Sequence, residues 1–337
     1  MIRVAVVGVG YWGPNLARNF NAAEGSELYA LCDLDADRLA AVNRNYPAAA
    51  AFRNVREALS DANVDAVAIA TPVHTHYELA KAALEAGKHV LVEKPLTDSV
   101  ATAEELVHLA ETKGLVLMVD HVFVYSSPVR KMKEILDSGQ LGDLFFIDSV
   151  RINLGLFQHD VNVVWDLAPH DLSIVDYLVE RLPRSVSAFG AVHAGRGIED
   201  VAYLNLDFGD GLIANFHVNW LSPVKIRYTM VGGSQKSVVY NHLDGSEPIK
   251  VYDRGIDVDV GDDRRAREKL MVSYRSGDVW SPNVKQTEAL RTVVEHFCDC
   301  IANAKKPITS GVEGLRVVRV LAAAQHSIKA QGGRITL

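Results

Sequence analysis

Three short stretches of this 337-residue chain hold side chains whose types and spacing could do chemistry. The first is Glu93-Lys94-Pro95. A proline ring disfavours the helical region for the residue before it, so Lys94 should be held extended. A fixed ammonium could stabilise negative charge growing on an oxygen; it could also simply pair with Glu93. The second stretch is Trp165-Asp166-Leu167-Ala168-Pro169-His170-Asp171. Asp166 and His170 are four apart and would share one face of a helix. A carboxylate beside an imidazole orients it and raises its basicity, the layout a general base needs to remove an alcohol proton. The competing reading is a structural histidine, since the chain has twelve. Asp171 and Asp176 read as a cap and a solvated helix face.

The third stretch is Gly8-Val9-Gly10-Tyr11-Trp12-Gly13. It is a G-x-G-x-x-G pattern between an apolar run and a helical pattern. The first glycine permits the tight turn, the second lets a pyrophosphate approach the backbone, and the third lets helix and strand pack closely. The free N–H groups of the helix then face the phosphates. Asp33 lies 20 residues past Gly13, at a strand end, where a carboxylate accepts from adenosine ribose hydroxyls. It would repel a 2′-phosphate. Leu34 and Asp35 follow, with no Arg or Ser expected nearby, so the sequence points to NAD, with NADP less favoured.

These residues need elements to position them. Over residues 2–121, short apolar runs alternate with helical patterns. Strands are expected at 3–7, 27–33, 64–70, 89–93 and 115–119, and helices at 14–20, 36–45, 77–86 and 99–113. Near-continuous Val, Ala, Ile and Leu runs between helices imply a parallel sheet covered on both faces. Ligands of such a doubly wound sheet bind at the carboxyl ends of its strands. Thr71-Pro72-Val73-His74-Thr75-His76 and Glu93-Lys94-Pro95 should therefore line the same crevice as the glycine turn. After about residue 121 the pattern changes. One helix is expected over 128–138, then strand-like alternation over 145–153. Residues 202–208 and 212–220 alternate around Gly209-Asp210-Gly211, which reads as a hairpin, and 227–231 and 237–240 continue it. Two helices, 284–303 and 313–330, close the chain. The fold class expected is α/β. Residues 1–121 form a Rossmann doubly wound sheet, and residues 122–337 a substrate-binding and oligomerisation domain with an open, mostly antiparallel sheet. The charged run 262–269 reads as a solvated loop or helix end, with a functional lid as the rival reading.

Composition bounds the partners. Apolar residues make up 48% and charged residues 23%, as in ordinary globular chains, and the net charge of -7 offers no polyanion-binding surface. Nucleic acid is not an expected partner. No run approaches the roughly 20 apolar residues a bilayer crossing needs, so no membrane is expected, and the N-terminal run reads as a buried strand rather than a signal peptide. Three cysteines suit a reducing cytoplasm better than a disulfide framework. Cys298 and Cys300 are too close and too isolated for zinc, and no metal is expected.

Glycine turn, Thr-Pro-x-x-x-His, Glu-Lys-Pro and Asp-x-x-x-His, in this order, resemble the glucose-fructose oxidoreductase / inositol dehydrogenase (Gfo/Idh/MocA) family over nearly the whole chain. The resemblance implies an NAD-dependent dehydrogenase that oxidises a secondary hydroxyl of a sugar or sugar derivative by hydride transfer. Lys94, Asp166 and His170 would be the catalytic set. The stretch from Arg151 to His170 looks like branches acting on nucleotide-linked or aminoglycoside sugars, often at the 3-hydroxyl. A keto-sugar reductase running the opposite way and a non-catalytic sugar sensor are the rival readings. Tyr11 and Trp12 would flank the cofactor or pack in the core. His76 would support the cofactor loop or cap the following helix. Gly8, Gly10, Gly13, Asp33, Leu34, Thr71, Pro72, Glu93, Lys94, His121 and Trp165 complete the cofactor-facing set. Lys94, Tyr125, Arg151, Asn153, His159, Asn162, Trp165, Asp166 and His170 are candidate substrate contacts. The sequence departs from the family at Asp120-His121, where many members carry Asn, so substrate contacts there are not carried over. A homodimer or homotetramer through the second domain's sheet is expected.

Overall fold

The computed structural model describes residues 1–155, 161–195, 197–259 and 271–337. The candidate contact His159 and the charged run 262–269 lie outside them. The chain divides into two compact units. The first comprises 1–126, 172–176 and 287–322; the second comprises 127–171, 177–286 and 323–337. A single cut after residue 121, as expected, does not describe this. The penultimate helix and much of the last return to the first unit, because their apolar stripes are buried there, with Val293, Val294, Phe297, Val318 and Leu321 all at 0% exposure.

The first unit is built on a six-stranded parallel sheet in the order β3-β2-β1-β4-β5-β6. Its strands are β1 (Ile2–Val7), β2 (Ser26–Cys32), β3 (Ala50–Phe52), β4 (Ala66–Ile69), β5 (His89–Glu93) and β6 (Leu117–Asp120). Helices α1 (Gly13–Ala22), α2 (Ala36–Asn43), α3 (Val55–Ser60), α4 (His76–Glu85) and α5 (Val100–Lys113) connect them. Local chemistry sets the ends. Ser99 accepts the Thr102 N–H to open α5, and Gly114 in the left-handed region closes it. The side chain of Asp35 accepts from Asp37 and Arg38 to open α2. β1, β4 and β5 carry Val4, Ala5, Val6, Ala68, Ile69, Val90, Leu91 and Val92 at 0% exposure, as strands covered on both faces should. β3 and α3 were not expected; β3 has three residues, too short for a periodic signal.

The second unit carries α6 (Ser127–Asp137) and a nine-stranded sheet in the order β14-β13-β12-β11-β7-β10-β9-β8-β15. Its strands are β7 (Leu144–Leu154), β8 (Ser185–Ala191), β9 (Val201–Asp207), β10 (Ile213–Asn219), β11 (Leu221–Gly233), β12 (Ser237–Asn241), β13 (Ile249–Asp259), β14 (Met271–Trp280) and β15 (Ile335–Thr336). All neighbouring pairs are antiparallel except β7 with β10. The expected hairpin is β9–β10, in register from Val201↔Asn219 to Asp207↔Ile213. One face of this sheet stays open: Phe189, Tyr203 and Ile213 are 58%, 46% and 59% exposed, with Tyr203 stacked on His217. The remaining helices of the chain are α7 (Val163–Val179), which begins in this unit, and α8 (Ala289–Ala302) and α9 (Gly311–Lys329), of which α8 and most of α9 belong to the first. Asn162 caps α7 by accepting the Val164 and Trp165 N–H groups, both at 3.1 Å. Among the described residues no helix is long and apolar enough to cross a membrane.

Candidate active site

In the first unit the glycine turn leaves β1 and enters α1. Gly8 has φ +85°, and a Cβ there would meet Thr71 Cγ2 and Ala70 O at 2.7 and 2.8 Å. A Cβ on Gly13 would meet Gly8 O at 2.0 Å, so turn and helix close on each other only without side chains. At Gly10 the nearest atom would be Arg38 Nη1 at 3.8 Å, which leaves the backbone open to an approaching group. The N-cap of α1, Trp12, makes no side-chain cap bond and a proline follows within the first turn. The helix therefore presents uncapped N–H groups beside an uncovered glycine, and a pyrophosphate fits that cradle. Tyr11 is 86% and Leu34 82% exposed. For Tyr11 this decides against core packing.

Asp33 is held in place by the turn itself. Its Oδ2 accepts from Val9 N at 2.8 Å and its Oδ1 from Asp35 N at 2.9 Å. Its surroundings differ from expectation. Arg38 Nη1 lies 3.8 Å from Asp33 Oδ2, and Arg53 Nη2 donates to Leu34 O at 3.3 Å. Two guanidinium groups thus stand where none was anticipated. Arg38 comes from the first turn of α2 and Arg53 from just past β3, an element with no sequence signal. The electrostatic argument against a 2′-phosphate is weakened accordingly.

The Thr71 and Glu-Lys-Pro loops are joined by His76. Its Nε2 lies 2.8 Å from Thr71 O and its Nδ1 2.9 Å from Pro95 O, with the side chain buried. Both partners are acceptors, and a neutral imidazole donates from one nitrogen only. Burial lowers the His76 pKa, against the two carbonyls that raise it. His76 is thus a clasp between the Thr71 and Glu-Lys-Pro loops and goes beyond capping α4. Thr71 Oγ1 also accepts from Thr75 Oγ1 at 2.7 Å, which tightens the same turn.

Behind Lys94 is a cluster that the sequence did not assemble. Glu93 and Asp120 are register partners at the carboxyl ends of β5 and β6. Glu93 Oε1, both Asp120 oxygens, both His121 ring nitrogens and Trp12 Nε1 are buried without hydrogen-bond partners among the described residues. Glu93 and Trp12 lie close enough to act on the Asp120 carboxyl, without meeting hydrogen-bond geometry. Burial and the Asp120 charge push Glu93 well above the usual carboxylate range, and burial raises Asp120 to about 6. Burial and the Lys94 charge hold His121 down at about 3, so the ring is neutral at pH 7. Lys94 acts electrostatically on all three neighbours. Unsatisfied buried polar atoms are costly, and this many at the carboxyl ends of β5 and β6 is what a polar ligand would satisfy. The Lys94–Pro95 peptide is cis.

The second unit brings its own candidates together on α7 and β7. Asp166 and His170 lie one turn apart on α7, and Asp166 Oδ2 accepts from the Trp220 indole at 3.1 Å. Asp171 is not a cap. It is 2% exposed and grips Arg151, itself 1% exposed, through two bonds of 2.6 and 3.0 Å. Asp176 is not on a solvated face; it binds Arg316 bidentately at 2.7 and 2.9 Å. The register partner of Arg151 on β11 is Arg227, which the sequence reading passed over along with His242. Two candidate substrate contacts are engaged elsewhere. Tyr125 is buried with its hydroxyl 3.0 Å from Thr309 Oγ1, and Asn162 is used on the α7 cap, Glu199 and Gln325. Asn153 and Trp165 are half-buried, and Asn153 Oδ1 has no partner.

A parallel sheet whose first strand runs through a glycine turn into a helix, followed by a second, mostly antiparallel sheet, is the architecture of a Rossmann-type oxidoreductase. Residues 2–121 match the domain described as "Oxidoreductase family, NAD-binding Rossmann fold", and residues 129–239 match the "GFO/IDH/MocA C-terminal domain". The chain belongs to the Gfo/Idh/MocA family, and is an NAD(P)-dependent oxidoreductase acting on CH–OH groups.

Among its relatives is the UDP-N-acetylglucosamine 3-dehydrogenase of Acidithiobacillus ferrooxidans, 27% identical over 98% of both chains. The solved structure of that enzyme superimposes with a TM-score of 0.82 at 25% identity, covering 98% of both chains. The uncharacterized oxidoreductase YdgJ of Escherichia coli is 31% identical over 73% of each chain. The scyllo-inositol 2-dehydrogenase (NADP(+)) IolW of Bacillus subtilis is 24% identical, covering 97% of this chain and 94% of its own.

Proposed function

We propose that this chain oxidises a secondary hydroxyl of a nucleotide-linked or related sugar with NAD, with Lys94, Asp166 and His170 as its catalytic residues. The observation that carries the reading is the cluster around Lys94: an ammonium set among Glu93, Asp120 and a neutral His121, with six buried polar atoms lacking partners. In this mechanism His170 takes the hydroxyl proton. Asp166, braced by the Trp220 indole, orients His170. Lys94 stabilises negative charge developing on the substrate oxygen. The bound dinucleotide supplies the hydride acceptor; the chain's part is to hold it on the glycine turn and the two loops clasped by His76. The substrate named for the Acidithiobacillus relative supports a nucleotide sugar and its 3-hydroxyl, and the Asp33 carboxylate supports NAD. Arg38 and Arg53 favour some use of NADP as well. Phe189, Tyr203 and Ile213 support a homodimer or homotetramer through the open sheet face.

The test is a panel of nucleotide sugars, inositols and aminoglycosides with NAD and with NADP, followed at the absorbance of the reduced nicotinamide. Reduction with a nucleotide sugar and NAD is expected. Cofactor binding without reduction of either dinucleotide by any alcohol, and without reoxidation by the matching keto-sugars, would overturn the reading in favour of a sensor.

A further inference from the structure

The second unit holds a group of charges that does not balance. Arg151 and Arg227 are paired across β7 and β11 and project to the same face of the sheet. Arg151 is satisfied by Asp171 through its fork. Its Nη2 also lies 3.5 Å from His242 Nδ1, and His242 Nε2 lies 3.2 Å from Thr229 Oγ1. Tyr240 stacks on the His242 ring at 3.8 Å, which fixes its plane. Burial and the Arg151 charge bring His242 down to about 3, so it adds no charge at neutral pH. The charged groups acting on it are Arg151, Asp171 and Arg227 alone. That is two cations against one anion.

Arg227 is the unmatched cation. It is half-buried, its Nε is sealed from solvent, and its guanidinium has no hydrogen-bond or ion-pair partner among the described residues. Burying a charge without a partner is strongly unfavourable. A guanidinium fork is shaped to bind a carboxylate or phosphate through two parallel bonds. The group lies beside Asp171, the residue after His170 on α7.

We propose that Arg227, with His242 and the outer edge of the Arg151–Asp171 pair, is an oxyanion subsite that binds a phosphoryl or carboxylate group of the substrate. This rests on the dehydrogenase reading above and makes it narrower: the sugar oxidised carries a negative charge. An acid group on the sugar and a nucleoside diphosphate attached to it share this chemistry.

The dinucleotide-loaded protein separates them by calorimetric titration with UDP against uridine, and with glucuronate against glucose. At least one anion should bind 10-fold or more tighter than its uncharged counterpart. Arg227→Gln should erase that preference, while Arg227→Lys, which keeps the charge but not the fork, should retain part of it. Should Arg227→Gln fail to fold, a several-fold loss of preference in Arg227→Lys carries the test. An anion preference unchanged in the variants, or none in the parent, overturns the subsite. Turnover of neutral sugars without anion preference would overturn the subsite and leave the dehydrogenase standing. Arg227-dependent anion binding with no turnover of any alcohol would do the reverse.

Discussion

The two units handle buried charge in opposite ways. Around Lys94, Glu93, Asp120, His121 and Trp12 are buried with atoms that have no partner. Around β7, Arg151 and Asp171 are as deeply buried but satisfy each other through two short bonds. A half-satisfied polar cluster is unfavourable in the folded state, and a saturated one specifies packing. The difference teaches where the ligands belong. The first unit leaves buried donors and acceptors open, as the proposed cofactor site requires. The second pairs Arg151 with Asp171 and leaves the Arg227 guanidinium beside them without a partner among the described residues.

The comparison breaks first at the proposed catalytic residues. Lys94→Ala and His170→Ala should each lower turnover by ~10²–10⁴, the usual range for a lost acid–base group, with folding intact by circular dichroism. Near-normal rates in both would remove them from the chemistry.

Asp171→Ala tests the saturated side. It strands the Arg151 charge in the interior, and unfolding in urea should show a loss of about 3–5 kcal/mol. A loss below about 1 kcal/mol, the scale of an exposed pair, would show that the bond is not structural.

Asp120→Asn tests the unsaturated side and should have the opposite sign. The Asp120 pKa is about 6 in the fold and about 3.9 when unfolded. Between these values the folded form holds a proton that the unfolded form has released. Wild-type stability therefore falls as pH rises from about 4 to about 6 and stays lower above that. The Asn variant escapes this. Its melting temperature should exceed that of the wild type at pH 8, and the gain should vanish below about pH 4, while its affinity for the dinucleotide declines. A variant less stable than wild type at pH 8 would contradict the strain.

The smallest effect belongs to cofactor choice. Asp33→Ala should shift the ratio of kcat/KM for NAD over NADP toward NADP, and Arg38→Ala should shift it the other way. An unchanged ratio in both would place the 2′ position away from this edge.

The sequence carried some of this plainly. G-x-G-x-x-G, Thr71 to His76 and Glu93-Lys94-Pro95 are local motifs, and each marks the end of a strand whose apolar run is legible. The β9–β10 hairpin showed because its alternation never breaks. β13 and β14 stayed hidden because the register shifts between Tyr252 and Arg254, which throws the alternation out of phase on either side of Asp253. The charge pairings were hidden for another reason. Arg151 meets Asp171 and Arg227 only through sheet register and helix packing, across 20 and 76 positions of chain, and no local spacing encodes that. Asp120 did leave a trace: a charged residue closing the run Leu117-Met118-Val119, level with Glu93. Arg38 and Arg53 left none, since β3 is too short to be read.

The central claim, that one ammonium and one imidazole act on the same carbinol, is tested most directly by a double-mutant cycle of Lys94→Ala and His170→Ala on dinucleotide reduction. Groups that act as a unit are strongly non-additive. The account predicts a double variant about as slow as the slower single one. Losses that multiply in full would contradict it.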